Sequence, residues 1–282
     1  MDGIINVLKP AGMTSFDVIA CLRRIYGQKR IGHGGTLDPL AAGVLPVFLG
    51  RAARLIEFAP IHMKTYEAEF LMGVETDTED VSGHIVTQGT TIADFAVWEK
   101  AAKAFCGRIL QVPSLYSAKL VNGRRAYDLA REGKEFTLPA KEIEIYALTI
   151  REVAPPYLRL SVTCSAGTYV RSLGRDLGRA AGCPLTMSFL LRSAMGPFTV
   201  QTAKILEEIQ ENPDGALLPL TPDFIDLPLF SLSRKAADDF LLGKRLSVEA
   251  AENEMVQVWC GKDFLGTGRI TAGVLHPKKV WN

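Results

Sequence analysis

The order of hydrophobic and polar positions along the chain predicts both strands and helices. Runs of consecutive apolar residues are typical of buried strands, and strict alternation of apolar and polar residues is typical of strands with one buried face. The segments that follow one of these two patterns are residues 3–8, 44–49, 64–70 and 157–164.

Apolar residues at helical spacing predict three amphipathic helices. Thr14 precedes the first of them, and Asp17 three residues later is typical of a capping box, with an aspartate in place of the usual glutamate. Asp94 precedes the second helix, and the third begins at Val170. A further short helix is predicted over residues 51–58.

The C-terminal part of the chain has a different composition from the rest. Proline and aspartate are concentrated in residues 213–228, which predicts a linker. A short helix over residues 233–242 then precedes alternating apolar residues and glycine turns, which predict a small β-rich module. We therefore expect a large domain over residues 1–212 and a small domain over residues 229–282.

Composition narrows the class of protein. The chain has 282 residues, 48% of them hydrophobic, and a formal net charge of +1. It is long enough to bury a large core, and so small a net charge neither favours nor excludes a nucleic-acid partner, because binding depends on a basic face. The N-terminus has no secretory signal pattern and no segment has the length of a membrane span. The five cysteines are scattered, as in reduced cytoplasmic proteins.

Acidic residues are concentrated between Gly73 and Gly83, where a metal-binding loop would be one reading. The spacing of these acids does not match a calcium-binding EF-hand loop, so we predict a polar hairpin turn. The cysteines and histidines also lack the spacing of metal ligands, and we predict no metal site.

A single acid, Asp38, lies among glycines, prolines and small apolar residues in the stretch 32–46. Pro39 biases Asp38 toward extended geometry, and the glycines allow the backbone to approach a ligand closely. His33 is the nearest titratable neighbour in sequence. This pattern is compatible with a nucleophile or base, and equally with a structural Asp-Pro turn.

Residues 32–45 resemble the catalytic motif of the TruB family of tRNA pseudouridine synthases, Gly-His-x-Gly-x-Leu-Asp-Pro-x-Ala-x-Gly-x-Leu. Further blocks resemble the same family in the same order: residues 8–15, the Lys-x-Tyr pair at 64–66, and residues 111–119, 123–133, 164–171 and 189–192. The resemblance covers nearly the whole chain. It implies an α+β fold, with a mixed-sheet pseudouridine synthase catalytic domain and a small β-rich PUA-like C-terminal domain.

The resemblance also implies roles for particular residues. Asp38 corresponds to the catalytic nucleophile, Tyr66 to the tyrosine against the target base, and Arg171 to the arginine that pairs with the aspartate. Leu190 would line the base pocket beside Tyr169. His33 would contact a displaced base, or would be only structural, and Tyr66 taken alone is more typical of a packed strand residue.

Basic residues provide candidate contacts to RNA. Their positions in the family blocks, or on a face shared with such a block, make the following residues candidates: Lys64, Lys119, Arg124, Arg125 and Arg175. The cluster at residues 23–30 is either a solvated helix end or a further set of phosphate contacts.

The function implied by the resemblance is the isomerisation of a uridine in the T loop of tRNA, at position 55, to pseudouridine. The base must be flipped out of the loop. No cofactor is required in principle, because nothing is oxidised and no group is added, and no obligate protein partner is expected. The aspartate either attacks the sugar C1′ or the uracil ring, or assists elimination.

Two other classes of function are compatible with parts of the chain. A non-catalytic RNA-binding protein with the same fold would not need Asp38. A glycosidase-like hydrolase would need a second carboxylate beside it, and the matched blocks contain no obvious one.

Overall fold

The computed structural model describes residues 1–249 and 254–281. Its helices are α1 (Ser15–Tyr26), α2 (Phe95–Ala104), α3 (Ala126–Arg131), α4 (Val170–Ala181), α5 (Leu206–Glu211) and α6 (Arg234–Leu241), with 3-10 helices over Gly50–Phe58, Val200–Thr202 and Pro222–Phe224. The helix predicted over residues 51–58 is thus a 3-10 helix. No helix among the described residues is long and apolar enough to cross a membrane.

The strands of the first half are β1 (Gly3–Lys9), β2 (Ile31–His33), β3 (Ala42–Leu49), β4 (Met63–Met72), β5 (Val74–Thr76), β6 (Ile85–Gln88), β7 (Gly107–Gln111), β8 (Leu120–Val121) and β9 (Arg124–Arg125). Those of the second half are β10 (Lys141–Ala154), β11 (Tyr157–Ser165), β12 (Leu185–Met195), β13 (Phe198–Thr199), β14 (Leu229–Ser231), β15 (Leu246–Ser247), β16 (Glu254–Cys260), β17 (Asp263–Thr271) and β18 (Val274–Val280).

The chain packs as two compact units. The first, here called the terminal unit, comprises Met1–Pro39, Val44–Ile61 and Gly196–Asn282, and the second, the central unit, comprises Leu40–Gly43 and His62–Met195. The domain boundaries expected at residues 212 and 229 stay a prediction. Both chain ends and the small β-rich module belong to the terminal unit.

The central unit is built on strands hydrogen-bonded in the order β12-β4-β11-β10-β7, each antiparallel to its neighbour. Ala42 and Gly43 add a short parallel pairing to β12, which makes the sheet mixed. Helix α4 packs against β12 and α2. A Cβ atom at Gly174 would collide with the ring of Phe70 on β4, so the absence of a side chain lets α4 lie close to the sheet.

In the terminal unit, helix α1 packs on the strands β1, β2 and β3. Its capping box is formed as predicted, since Thr14 and Asp17 each bond the other's backbone amide. The core here contains the buried apolar residues Ile5, Val7, Val18, Ile19, Leu22, Ile31, Leu45, Val47, Leu49 and Ile209. Burial of this apolar face is the main stabilising contribution to the helix.

The small module forms a five-stranded sheet in the order β14-β16-β17-β18-β15, with α6 packed on it. The preceding segment is anchored to this sheet, because the side-chain amide of Gln257 lies within 3.2 Å of the carbonyls of Pro222, Ile225 and Leu227. The α+β fold class, with a mixed-sheet domain and a small β-rich C-terminal module, is confirmed.

Candidate active site

The loop that contains Asp38 is fixed on both sides of the aspartate. The hydroxyl of Ser15 accepts a hydrogen bond from the Leu37 amide at 2.9 Å and donates one to the Leu37 carbonyl at 3.2 Å. The Gly12 amide donates to the Pro39 carbonyl at 2.7 Å. Leu37 is buried and Asp38 is half-buried. The aspartate therefore lies between two anchored residues, which restricts its backbone.

The turn that supplies Gly12 is itself held by a buried lysine. Lys9 is fully excluded from solvent, and its ammonium donates to the carbonyls of Pro10 at 2.8 Å and Met13 at 2.6 Å. Gly12 adopts a left-handed conformation with φ of 87°, which favours glycine. The Lys-Pro-x-Gly segment is thus hydrogen-bonded to the Asp38 loop through Gly12.

His33 ends strand β2, directly before this loop, and lies opposite Val47 of β3. Its side chain is half-buried. The contact of His33 with a displaced base stays a prediction.

Tyr66 is buried on β4, between Val162 of β11 and Arg192 of β12. The guanidinium of Arg192 is also fully buried and forms a side-chain hydrogen bond with Tyr66. Burial lowers the pKa of Arg192, and the interaction with Tyr66 opposes that change. An arginine fixed against the tyrosine hydroxyl restricts the orientation of the phenol ring.

Arg171 lies in the first turn of α4 and is nearly excluded from solvent. Its guanidinium donates to the carbonyls of Thr78 at 3.0 Å and Tyr116 at 3.3 Å, and Nη1 lies 3.8 Å from Asp80 Oδ2. All of these contacts lie within the central unit. Its predicted pairing with Asp38, a residue of the terminal unit, stays a prediction.

Tyr169 is the residue before α4, and its backbone is bound at both ends by one side chain. Gln111 donates to the Tyr169 carbonyl at 3.1 Å and accepts from the Tyr169 amide at 2.9 Å. Leu190 is buried on β12, opposite Ala68, which is two residues beyond Tyr66 on β4 and on the same face of the sheet. The central unit therefore brings Tyr66, Leu190 and Arg192 onto neighbouring positions of one sheet.

The candidate RNA-contacting residues lie in three different settings. Lys119, Arg124 and Arg125 belong to the β8–β9 hairpin or border it, and Arg124 pairs with Glu132 at an exposed position. Hydrogen bonds from the side chains of Arg124 and Lys134 lower the pKa of Glu132 to about 2.

Arg175 is turned inward rather than toward solvent. Its Nε donates to Asp176 at 2.8 Å, Nη2 donates to the Val112 carbonyl at 2.9 Å, and Nη1 pairs with Glu79. All three nitrogens are therefore engaged within the protein, and an RNA contact of Arg175 stays a prediction.

Lys64 is half-buried on β4, opposite Cys164, two residues before Tyr66 and on the same face of the strand. Burial lowers the pKa of its ammonium to about 8, and the charges of Arg192 and Lys141 act in the same direction. Burial also raises the pKa of the Cys164 thiol to about 11. A desolvated ammonium among other cations is suited to bind an anion such as a phosphate.

Several residues of this site were not assigned a role from the sequence. Ser15, Arg192 and Gln111 lie in the family blocks but had no predicted contact. Glu79 and Asp80 were read as part of a polar turn, and both are buried. The sequence contains a signal for Arg192, because it follows three apolar residues of β12 and a buried charge requires a partner. Within residues 1–249 and 254–281, no three His, Cys, Asp or Glu side chains are grouped as metal ligands.

Two family profiles match the chain. The profile described as "TruB family pseudouridylate synthase (N terminal domain)" matches residues 23–170, and "Pseudouridine synthase II TruB, C-terminal" matches residues 228–280. The first alone covers more than half of the chain and contains Asp38 and Tyr66.

Whole-length relatives agree with the profiles. The chain is 39% identical to tRNA pseudouridine synthase B of Caldanaerobacter subterraneus subsp. tengcongensis, covering 100% of this chain and 99% of the relative. It is 41% identical to the protein of the same name in Dehalococcoides mccartyi strain CBDB1, covering 100% and 97%. A crystal structure of a Cbf5-Nop10-Gar1 complex has the same fold, with a TM-score of 0.75 and 24% identity over 99% of this chain and 84% of that one. The chain belongs to the TruB family of pseudouridylate synthases, isomerases that act on tRNA.

Proposed function

We propose that this enzyme converts uridine 55 in the T loop of tRNA to pseudouridine, with Asp38 as the nucleophile. The observation that supports this assignment best is the Asp38 loop. A half-buried carboxylate lies between Leu37 and Pro39, whose backbones are held by Ser15 and Gly12. Restricting a reacting group before substrate binds lowers the entropy lost on reaching the transition state.

The reaction breaks the bond between the uracil nitrogen and the sugar, turns the base, and joins it again through carbon. Flipping the target base out of the loop costs a few kcal/mol. Tyr66 and Tyr169 offer aromatic surface, and stacking contributes roughly 1–3 kcal/mol per base. Leu190 supplies an apolar wall beside Tyr66. In this proposal, the Arg171 guanidinium pairs with the Asp38 carboxylate.

The tRNA backbone is proposed to contact basic side chains of the central unit. Lys64 has a desolvated ammonium with no ion pair to any carboxylate of the described residues, and phosphate binding would supply the missing charge. Lys119 and Arg125 on the β8–β9 hairpin extend this contact, and the C-terminal module is proposed to bind RNA as a PUA-like domain. Phosphate contacts position the substrate, whereas the flipped base is recognised in the pocket.

The test is incubation of the purified chain with unmodified tRNA, followed by site-resolved detection of pseudouridine. We expect conversion at position 55 alone, and no conversion in a matched tRNA with cytidine at that position. Conversion at another uridine would disprove the site assignment. Release of free uracil would indicate a hydrolase, and tight binding without conversion would indicate a non-catalytic RNA-binding protein.

A further inference from the structure

Two consecutive acidic residues in the turn between β5 and β6 contact different arginines of helix α4. Glu79 and Asp80 are only 6% and 7% exposed. Glu79 pairs with Nη1 of Arg175, and its Oε2 accepts a hydrogen bond from the hydroxyl of Ser172 at 2.7 Å. Burial raises the pKa of Glu79, and the two arginines oppose that change. The glutamate is thus fastened to α4 by two side chains of that helix.

The backbone of Glu79 has an uncommon conformation for a residue with a side chain. Its φ is 64°, in the left-handed region that favours glycine. Met187 of β12 donates to the Glu79 carbonyl at 3.1 Å, and its own carbonyl accepts from the Val81 amide at 3.0 Å. Such a conformation persists where its surroundings fix it, and here strand and helix both do so.

The residues on either side of Glu79 both contact Arg171. Thr78 accepts a hydrogen bond from Arg171 through its carbonyl at 3.0 Å, and the Asp80 carboxylate lies 3.8 Å from the same guanidinium nitrogen. The direction in which these two groups point depends on the backbone between them. A shift of Glu79 would therefore move the Thr78 and Asp80 contacts of Arg171 together, whereas the contact with the Tyr116 carbonyl comes from a separate segment.

We propose that Glu79, held by Arg175 and Ser172, is a positioning residue that orients Arg171 for the reaction through Thr78 and Asp80. This inference rests on the proposed function, because Arg171 is the arginine assigned there to Asp38. The competing interpretation is that the buried Glu79–Arg175 pair contributes to folding only.

The chain contains a matched control on the same helix. Arg179 follows Arg175 by one helical turn and pairs with Glu75 at 2.6 Å, and its side chain is 62% exposed. Glu75→Gln removes a charge from an equivalent acid–arginine pair without touching the turn at Thr78 and Asp80. The Glu75→Gln variant thus measures how far the loss of an ion pair on α4 changes the rate by itself.

The experiment compares Glu79→Ala and the paired variant Glu79→Leu/Arg175→Met with Glu75→Gln. The paired variant leaves no lone buried charge, so it keeps the test valid if Glu79→Ala does not fold. For each folded variant, the single-turnover rate at saturating tRNA and the Kd for tRNA are measured. We expect the rate of both Glu79 variants to fall about 10–100-fold, with Kd changed less than about threefold. Glu75→Gln should stay within about twofold of the parent rate.

A double-mutant cycle with Arg171→Lys separates positioning from general loss of structure. If Glu79 acts through Arg171, the Glu79 substitution should lower the rate by less than about threefold in the Arg171→Lys background. Independent, multiplying losses would overturn the proposal, as would a parent-like rate in a folded Glu79 variant. Absence of conversion by the parent chain would overturn the proposed function as well, so the two failures are distinguishable.

Discussion

The hydroxyl of Ser15 is hydrogen-bonded to both backbone polar groups of Leu37, the residue before the proposed nucleophile. Ser15 begins α1, so this pair of bonds joins the Asp38 loop to the first turn of a helix packed in the core. The backbone of the loop is therefore anchored to the helix end at Leu37.

Ser15→Ala is expected to loosen this loop. The substitution leaves the buried amide and carbonyl of Leu37 without their partner, which should lower the free energy of unfolding by about 1–3 kcal/mol. It should also lower the single-turnover rate about tenfold, with little change in tRNA affinity, because Asp38 loses its fixed position.

Ser233→Ala is the control for this experiment. Ser233 is the N-cap of α6 and lies far along the chain from the Asp38 loop. Loss of its capping hydroxyl should lower the free energy of unfolding by a comparable amount, about 0.5–2 kcal/mol. The two variants are compared by urea unfolding and single-turnover conversion. Equal loss of rate in both would mean that Ser15 contributes only to stability.

Asp38→Asn should fold and bind tRNA but form pseudouridine at least about 1000-fold more slowly than the parent. The amide keeps the shape of the side chain but is a poor nucleophile and base, whereas most of the binding comes from phosphate and stacking contacts elsewhere. The measurement is single-turnover conversion together with a binding titration. Appreciable turnover would exclude Asp38 as the nucleophile, and equal loss of binding and turnover would make it a structural turn residue.

Arg171→Ala provides the companion variant. It should lose turnover as Asp38→Asn does, but it should also lower stability by about 3 kcal/mol or more, since Asp80 and the carbonyls of Thr78 and Tyr116 lose a buried cation. Parent-like stability would show that these contacts carry little free energy.

Local sequence rules accounted for much of the fold. The capping box at Thr14, the strand over 157–164 and the amphipathic helix from Val170 each depend on residues close in sequence, and each was confirmed. Strand β10 was not predicted. Its pairing with β11 is irregular between Ile145 and Ala147 and again between Ile150 and Glu152, so no long run of strict alternation marks it.

The site was predictable only where a motif resembled the family. The turn containing Glu79 and Asp80 has the composition of a solvated hairpin, and its sequence does not indicate burial. Two side chains contact Glu79 in its buried position. They belong to Ser172 and Arg175, which follow Glu79 by 93 and 96 residues. Contacts over such distances depend on the packing of α4 against the sheet, which no local pattern records.

The depressed pKa of Lys64 predicts how stability changes with pH. Below pH 8 the ammonium is charged in both states, and folding must desolvate it; between pH 8 and 10.5 the unfolded state binds a proton that the folded state has lost. Stability of the parent should therefore rise across this window relative to Lys64→Met.

Lys64→Met should accordingly be more stable than the parent by about 1–3 kcal/mol at pH 7, and this difference should shrink toward pH 10. The neighbouring groups that titrate or carry charge are Arg192, Lys141 and Cys164, and the thiol has a pKa of about 11. Urea unfolding at several pH values measures the difference. A difference independent of pH would show that Lys64 is solvated in the folded protein.

Activity should survive removal of divalent metal. The chain's cysteines and histidines lack the spacing of metal ligands, and the proposed reaction uses Asp38, Arg171 and the base pocket. With the tRNA folded in monovalent salt, EDTA should leave the single-turnover rate unchanged. Loss of activity that a trace transition metal restores, with the tRNA shown to remain folded, would contradict this.

Binding to tRNA should weaken steeply with salt although the formal net charge is only +1. Each phosphate neutralised by a lysine or arginine releases counterions, so the logarithm of affinity should fall linearly with the logarithm of salt concentration. Lys64→Met and Arg125→Gln should each reduce that slope by roughly one.

Lys103→Gln serves as the control, because Lys103 is exposed on α2 and paired with Glu99, outside the proposed contacts. A slope that changes equally in all three variants would mean that binding responds to net charge, and a flat response in the parent would exclude contact along the phosphate backbone.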